Sequence, residues 1–219
     1  MTGTQRRAQL LDVARTVLAE RGFEATSVEE IAHRAGVSKP VVYEHFGGKD
    51  GIYAVVVDRE MRRLLDRIDA ALAGDAPLVD DAALAGELGG SRAEDHPHQL
   101  VTRAALAFLD YIEEYSDGFR ILVRDSPAAG SAGTFSSLLG EIARQVEHVL
   151  RGQFALRGYR PELAALYSQA LVGMVGLTGQ WWLDVRTPDK AEVAAHLANL
   201  AWNGLAALSP DPMNRTTHA

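Results

Sequence analysis

Apolar positions recur at helical spacing along almost the whole chain. Nowhere do Val, Ile and Thr alternate with polar residues long enough to define a strand. Residues 5–20 place Leu10, Val13, Ala14, Val17 and Leu18 on one face. Arg21-Gly22 closes that helix, with glycine supplying the left-handed terminal position. Ser27-Val-Glu-Glu30 has the form of a capping box and opens a second helix carrying Ile31, Ala32 and Ala35. Gly36 breaks it, Ser38 caps a third helix with Pro40 in its first turn, and Gly47-Gly48 ends that one after Phe46. A long helix from Lys49 to Ala73 puts Ile52, Val56, Leu64, Leu65, Ile68 and Leu72 on one side. Further helices are predicted over Gln99–Glu114, Phe119–Arg124, Phe135–Leu156, Pro161–Val185 and Pro188–Leu208, with Ser126–Gly130 an interruption and the tail after Ser209 polar and frayed. The fold class is therefore all-α, about nine helices in total.

One stretch breaks the pattern. Residues 74–98 hold six acids against one Arg, four Gly, two Pro and no aromatic residue. They read as a linker, an acidic mobile loop, or a loop around a weak short helix at Asp81–Leu88. The expected domains are 4–64 and 65–219, with the loop inside the second.

Composition adds limits. The chain has 219 residues, 47% hydrophobic and 23% charged, which excludes wholesale disorder. Cysteine is absent, so disulfides and thiolate metal sites are excluded. The N-terminus shows no signal-peptide core, and a cytoplasmic location is expected. The formal net charge is −7, yet residues 1–50 carry seven basic and seven acidic groups, so the remainder holds the whole excess. Two of the three lysines stand at 39 and 49. An acidic protein still binds DNA if its positive groups gather on one face.

The most specific segment is 27–46, which forms a helix-turn-helix: two short helices joined by a glycine-containing turn. Ala32 must be small because the second helix crosses over it, and Gly36 allows a positive φ at the corner. Val37 and Val42 plug the angle between the helices, and Phe46 continues that face. Ser38, Lys39, Val41, Tyr43 and His45 are left for solvent or a partner. Such a set suits a DNA groove. Ser38 and the helix N-terminus offer donors to phosphate. Lys39 reaches a base edge, and Pro40 and Val41 meet a thymine methyl. Tyr43, His45 and Lys49 touch flanking phosphates. The bland alternative is a helical hairpin with chance polar residues.

Leu11 through Val57 resembles the N-terminal domain of TetR-family transcriptional regulators. The resemblance rests on Arg-Gly-Phe (21–23), Thr-Ser-Val (26–28), Ile-Ala (31–32), Ala-Gly-Val-Ser (35–38), Tyr-x-His-Phe (43–46) and Lys49. It implies an N-terminal three-helix DNA-binding domain joined by a long helix to a C-terminal helical bundle for effector binding and dimerisation. It implies DNA contact at Lys39, Pro40, Val41, Tyr43, His45 and Lys49. Ser27 and Ser38 complete the expected DNA-binding set. The sequence departs from the family pattern at Gly47-Gly48 and in the acidic Glu44.

The rest of the chain gives less. Residues 163–183 carry no charge, long enough for a membrane span, but Ser168, Gln169, Thr178 and Gln180 interrupt it and a helix buried between subunits is expected instead. The dimer interface is expected at Gly173 and Gly176 together with Ala194, Leu197, Ala198, Ala201 and Leu205 on the last helix, two helices per subunit forming a four-helix contact. Aromatic residues cluster after residue 107. The expected effector pocket comprises Phe108, Tyr111, Ile112, Phe119, Leu122, Leu138, Ile142, Tyr167, Leu171, Met174 and Trp181, although each aromatic residue singly suits a core. Arg120, Arg124 or His148 could orient a polar ligand group. No phosphate loop, nucleophile elbow or HExxH is present, so no enzyme, cofactor or catalytic residue is expected. His96-Pro-His98 beside Glu94-Asp95 carries no metal assignment. The sequence thus predicts a homodimeric repressor released from a palindromic double-stranded DNA operator by a small apolar or amphipathic effector, with the helix Lys49–Ala73 as the lever. The competing class is a helical carrier of apolar ligands, or an interaction protein, that binds no DNA.

Overall fold

The computed structural model describes residues 1–73, 92–124 and 134–206, and these residues are helical apart from short connections. The order is α1 (Gly3–Ala25), α2 (Val28–Arg34), α3 (Lys39–Phe46), α4 (Lys49–Ala73), α5 (Arg92–Glu114), α6 (Ser116–Val123), α7 (Thr134–Leu156), a 3-10 turn (Pro161–Leu163), α8 (Ala164–Val185) and α9 (Lys190–Ala206). The weak helix at 81–88, most of the acidic stretch, the 126–130 interruption and the polar tail lie outside the described residues. The acidic stretch ends earlier than its composition indicates, because α5 already begins at Arg92. Pro188 does not start a helix. Asp189 caps α9 just before its first residue, its carboxylate accepting the Glu192 amide at 2.9 Å.

The chain divides into two units, Met1–Asp66 with Tyr111–Leu138, and Arg67–Asp110 with Leu139–Ala219. The division differs from the expected cut near residue 64 in one respect: residues 111–138 join the N-terminal part.

In the first unit, α1 supplies Leu10, Leu11, Ala14, Val17 and Leu18 to a core that also takes Val28, Ile31 and Ala32 from α2, Val42 from α3, and Ile52, Tyr53 and Val56 from α4. Thr2 opens α1 with a capping box whose partner is Gln5. The helix kinks at Gly22, where φ is 77°. Ser27 caps α2, accepting the Glu30 amide at 3.2 Å. The reciprocal arm of the expected box is diverted, since the Glu30 carboxylate pairs with Arg21 at 2.8 Å and Arg34 at 3.0 Å. Both arginines are long enough to reach it and carry a full charge, which outcompetes one backbone amide. A second apolar group gathers Tyr111, Ile112, Phe119 and Leu122, all buried, with the Phe119 ring edge-on to Phe135 at 5.9 Å.

In the second unit, Ala105, Phe108 and Leu109 of α5, Ile142 and Ala143 of α7, Val172 and Trp182 of α8, and Ala194, Leu197, Ala198 and Ala201 of α9 are buried. The Trp182 indole donates to the Pro188 carbonyl at 2.7 Å, tying the end of α8 to the start of α9. Lys190 pairs with Asp110 at 2.8 Å. Among the described residues no helix is long and apolar enough to cross a membrane.

Candidate functional site

The turn between α2 and α3 is built as its residue types require. Gly36 has φ 64°. Ala32 and Val42 are buried, and Val37 and Phe46 are packed against the same core. Two side chains of α1 fix the assembly. Arg7 donates to the His45 carbonyl at 2.5 Å and lies 4.4 Å over the Phe46 ring, and Gln9 donates to the Ala35 carbonyl at 3.2 Å. The C-terminal end of α3 is thereby pinned, and its first turns are left to face outward.

Ser38, Lys39, Pro40 and Tyr43 are exposed. On a helix, residues 39, 40 and 43 lie one turn apart and share a face, so the structure brings them together as a single surface. Ser38 occupies the N-cap position of α3, but its side chain makes no capping bond. The expected cap is therefore backbone geometry alone, and the hydroxyl remains open to an outside acceptor. Val41 is half-buried against the core, because its side points back between α3 and the rest of the unit. It belongs to the packing more than to the outer face. His45 is also half-buried.

The two lysines differ in their surroundings. Lys39 pairs with Glu29 at the start of α2 and sits 5.7 Å over the Tyr43 ring. Hydrogen bonding to Glu29 raises the Lys39 pKa above its ordinary value, and the same bond lowers that of Glu29. Lys49 donates to the Phe23 and Glu24 carbonyls at 2.9 and 3.3 Å and covers the Phe23 ring at 4.3 Å. It holds the C-terminal end of α1, a role that its spacing in the sequence did not reveal.

The second unit contains a cavity of about 280 Å³. Its walls are Ile68 and Leu72 of α4, Leu100, Val101, Ala104, Ala105 and Phe108 of α5, and the Leu139–Phe154 face of α7. Leu171, Val172, Val175 and Gly176 of α8 and Trp202 and Leu205 of α9 complete it. Of the expected pocket residues, Phe108, Ile142 and Leu171 line it. Tyr111, Ile112, Phe119, Leu122 and Leu138 do not. They are core residues of the first unit, which the aromatic clustering could not distinguish from a wall. Tyr167 packs edge-on against Phe154 at 5.4 Å instead, and Met174 is absent from the lining. Trp181 is 51% exposed and points away from the interior. Arg124 donates to the Ala19 carbonyl at 2.8 Å in the first unit, Arg120 lies in that unit too, and His148 is exposed. The polar lining groups are Gln153, Arg157 and Tyr159, which the sequence reading missed.

The small-residue stripe also lies elsewhere than expected. Ala194, Leu197, Ala198 and Ala201 are buried within the chain itself. Gly176 packs inward: a Cβ there would stand 2.7 Å from Leu139 Cδ2. Leu205 faces the cavity. Gly173 alone of the expected interface set has open space beside it. The exposed large apolar residues of this unit are different ones, Leu166, Leu177, Trp181 and Val185 on one face of α8, Leu200 on α9, and Leu156 at the end of α7.

Comparison with known proteins places these features. Residues 10–56 match the model of the bacterial regulatory proteins of the tetR family, and residues 92–216 match that of the tetracyclin repressor-like C-terminal domain. The chain is 29% identical over 206 residues to the HTH-type transcriptional activator FasR of Mycolicibacterium smegmatis, covering 92% of this chain and 83% of that protein. It is 44% identical over 61 residues to the HTH-type transcriptional repressor KstR2 of Rhodococcus jostii, 28% of each chain. A TetR-like transcriptional regulator from Rhodococcus sp. RHA1 shares the fold with a TM-score of 0.67 and 27% identity over 93% of this chain and 97% of that one. A tetR-family regulator from Streptomyces coelicolor gives 0.62 and 25% over 92% and 80%.

Proposed function

The chain belongs to the TetR family of bacterial regulatory proteins, and on that premise we propose that it is a homodimeric, cytoplasmic repressor that leaves its operator when an amphipathic effector fills the cavity. The observation that carries the DNA-binding half is the outer face of α3, where Ser38, Lys39, Pro40 and Tyr43 stand exposed while Val42 anchors the helix from behind. Lys39 is placed to read a base edge, and the free Ser38 hydroxyl with the α3 N-terminus meets phosphate. Ser27, at the exposed start of α2, serves the neighbouring phosphate. Lys49, which also holds the end of α1, and the half-buried His45 reach the DNA backbone beside it.

The dimer forms through the exposed apolar face of α8, Leu166, Leu177, Trp181 and Val185, with Leu200 of α9. A second copy is the occupant, because the family acts on two half-sites and the same patch on both subunits satisfies twofold symmetry. Recognition helices then enter successive major grooves, about 34–36 Å apart. Effector and operator oppose one another with a coupling of about 1–3 kcal/mol. A second reading, activation, is favoured by the name of the relative that matches most of the chain, a transcriptional activator.

Selection from a random duplex library tests the proposal. The expected product is a near-palindrome whose half-sites lie one helical turn apart, bound with an affinity that falls steeply with salt. A reporter carrying that site upstream or downstream of a promoter separates repression from activation. Failure to enrich any duplex would leave the ligand-carrier reading.

A further inference from the structure

The cavity is sorted by polarity along α7. The lining positions Leu139, Ile142, Val146 and Leu150 are apolar. From Leu139 to Gln153 the wall follows roughly 21 Å of helix at about 1.5 Å per residue. Gln153, Arg157 and Tyr159 then follow at the C-terminal end of the helix. Among the described lining residues Arg157 carries the one formal charge, and no Asp or Glu of the lining balances it.

The guanidinium is not engaged in closing α7. That end is closed by the backbone: the Arg157 amide donates to the Gln153 carbonyl at 3.2 Å, Gly158 to Ala155 at 3.4 Å, and Tyr159 to Phe154 at 2.9 Å. Gly158 takes the left-handed conformation, φ 75°, that such a turn requires. The Arg157 side chain donates instead to the Gln153 amide oxygen at 2.9 Å, a neutral partner, and among the described residues no carboxylate is paired with it.

We infer that Arg157 reads an anionic headgroup, and that the effector is a slim amphiphile with an apolar tail along α7 and a carboxylate or phosphate group at Gln153 and Arg157. The inference rests on the effector-site reading above and adds the ligand's chemical class. A neutral apolar molecule would fill the same walls and leave the cation unpaired, whereas a cationic one would be repelled. Guanidinium matches carboxylate and phosphate through paired, charge-assisted hydrogen bonds. Because Arg157 is exposed at the cavity's edge, solvent screens it, and the preference for an anion over its neutral counterpart is on the order of tenfold.

The full-length protein is titrated with dodecanoate, dodecanol and dodecyl phosphate, following tryptophan fluorescence and release of the selected operator. Wild type is expected to bind dodecanoate about tenfold more tightly than dodecanol. Arg157→Gln is expected to erase that difference while leaving dodecanol affinity and effector-free operator affinity unchanged. Tighter binding of the alkyl phosphate than of the acid assigns the anion to phosphate, and the reverse order assigns it to the carboxylate. Equal affinity of wild type for acid and alcohol, no binding of any of the three, or a carboxylate preference that survives Arg157→Gln, overturns the inference. A preference lost in Arg157→Gln without any operator release keeps the anion anchor and removes the ligand switch. Release by acid and alcohol alike does the opposite.

Discussion

The hydroxyl of Tyr111 donates to the carboxylate of Glu60 at 3.2 Å, a buried bond between residues 51 apart in the chain. Arg63 donates to both oxygens of the same carboxylate at 3.0 Å, and its guanidinium lies 4.3 Å over the Tyr115 ring. Burial first, and then the Glu60 charge, push the Tyr111 pKa far above its ordinary value, so the phenol stays a donor. The approach is close because Gly118 allows it: a Cβ at that position would stand 2.5 Å from Glu60 Oε2 and 3.0 Å from the Tyr111 hydroxyl.

Tyr111→Phe should therefore destabilise the protein by about 1–3 kcal/mol, the cost of leaving a buried acceptor short of a donor. Gly118→Ala should destabilise it as well, through backbone displacement around an unmoved carboxylate. Urea unfolding, read with a constant denaturant slope, checks both. A Gly118→Ala protein as stable as wild type would mean that Glu60 has room to withdraw.

Glu29 pairs with Lys39, so on the proposed reading it would compete with DNA for that cation. Glu29→Gln should raise affinity for unrelated duplexes and steepen the salt dependence by up to about one counterion, while narrowing the margin between operator and non-operator. Lys39→Ala should weaken the operator and relax its sequence preference. The lowered Glu29 pKa keeps the pair intact across neutral pH, and it is lost only as pH falls through that lowered value. Substitution, not acid, is thus the means of breaking it. Competition titrations at two salt concentrations give both quantities, and an unchanged non-specific affinity in Glu29→Gln would deny the competition.

Leu177→Glu and Ala198→Glu should fail in different ways. Leu177 is 63% exposed, so its charged replacement leaves the subunit folded and yields monomer by sedimentation, with operator affinity lost. Ala198 is buried within the subunit, so a glutamate there should unfold the second unit. A folded dimer of Leu177→Glu would move the interface away from α8.

Effector binding should be reported by Trp202, which lines the cavity edge-on to His98 at 5.9 Å, and not by the exposed Trp181. Trp202→Phe should abolish the ligand-induced fluorescence change, and Trp181→Phe should preserve it. Iodide should quench Trp181 whether or not ligand is present, until dimerisation covers it.

The helix-turn-helix was legible in the sequence because its constraints are local. Ala32, Gly36 and Val42 lie within eleven residues, and each has a single role that one residue type satisfies. The cavity and interface were not. Phe119 and Phe108 look alike in a sequence, yet one fills the core of the first unit and the other lines the cavity of the second. The alanines of α9 signalled close helix packing correctly, but a small side chain does not state whose helix approaches. Leu177 and Trp181 fell in an uncharged run that read as uniformly buried. Arg157 escaped notice because nothing around it in sequence marks it, and only folding sets Gln153 and a length of apolar wall beside it.

The membership of residues 111–138 in the first unit sets the seam for anyone building hybrid regulators. A chimaera that keeps only the first sixty-six residues and grafts them onto a foreign sensor would carry Glu60 without Tyr111 and Gly118, and Ala19 without Arg124. Its N-terminal piece would bring Glu60 to the junction still paired with Arg63 but stripped of the Tyr111 hydroxyl. The transplantable piece is discontinuous, and a working graft must exchange two segments of the chain at once.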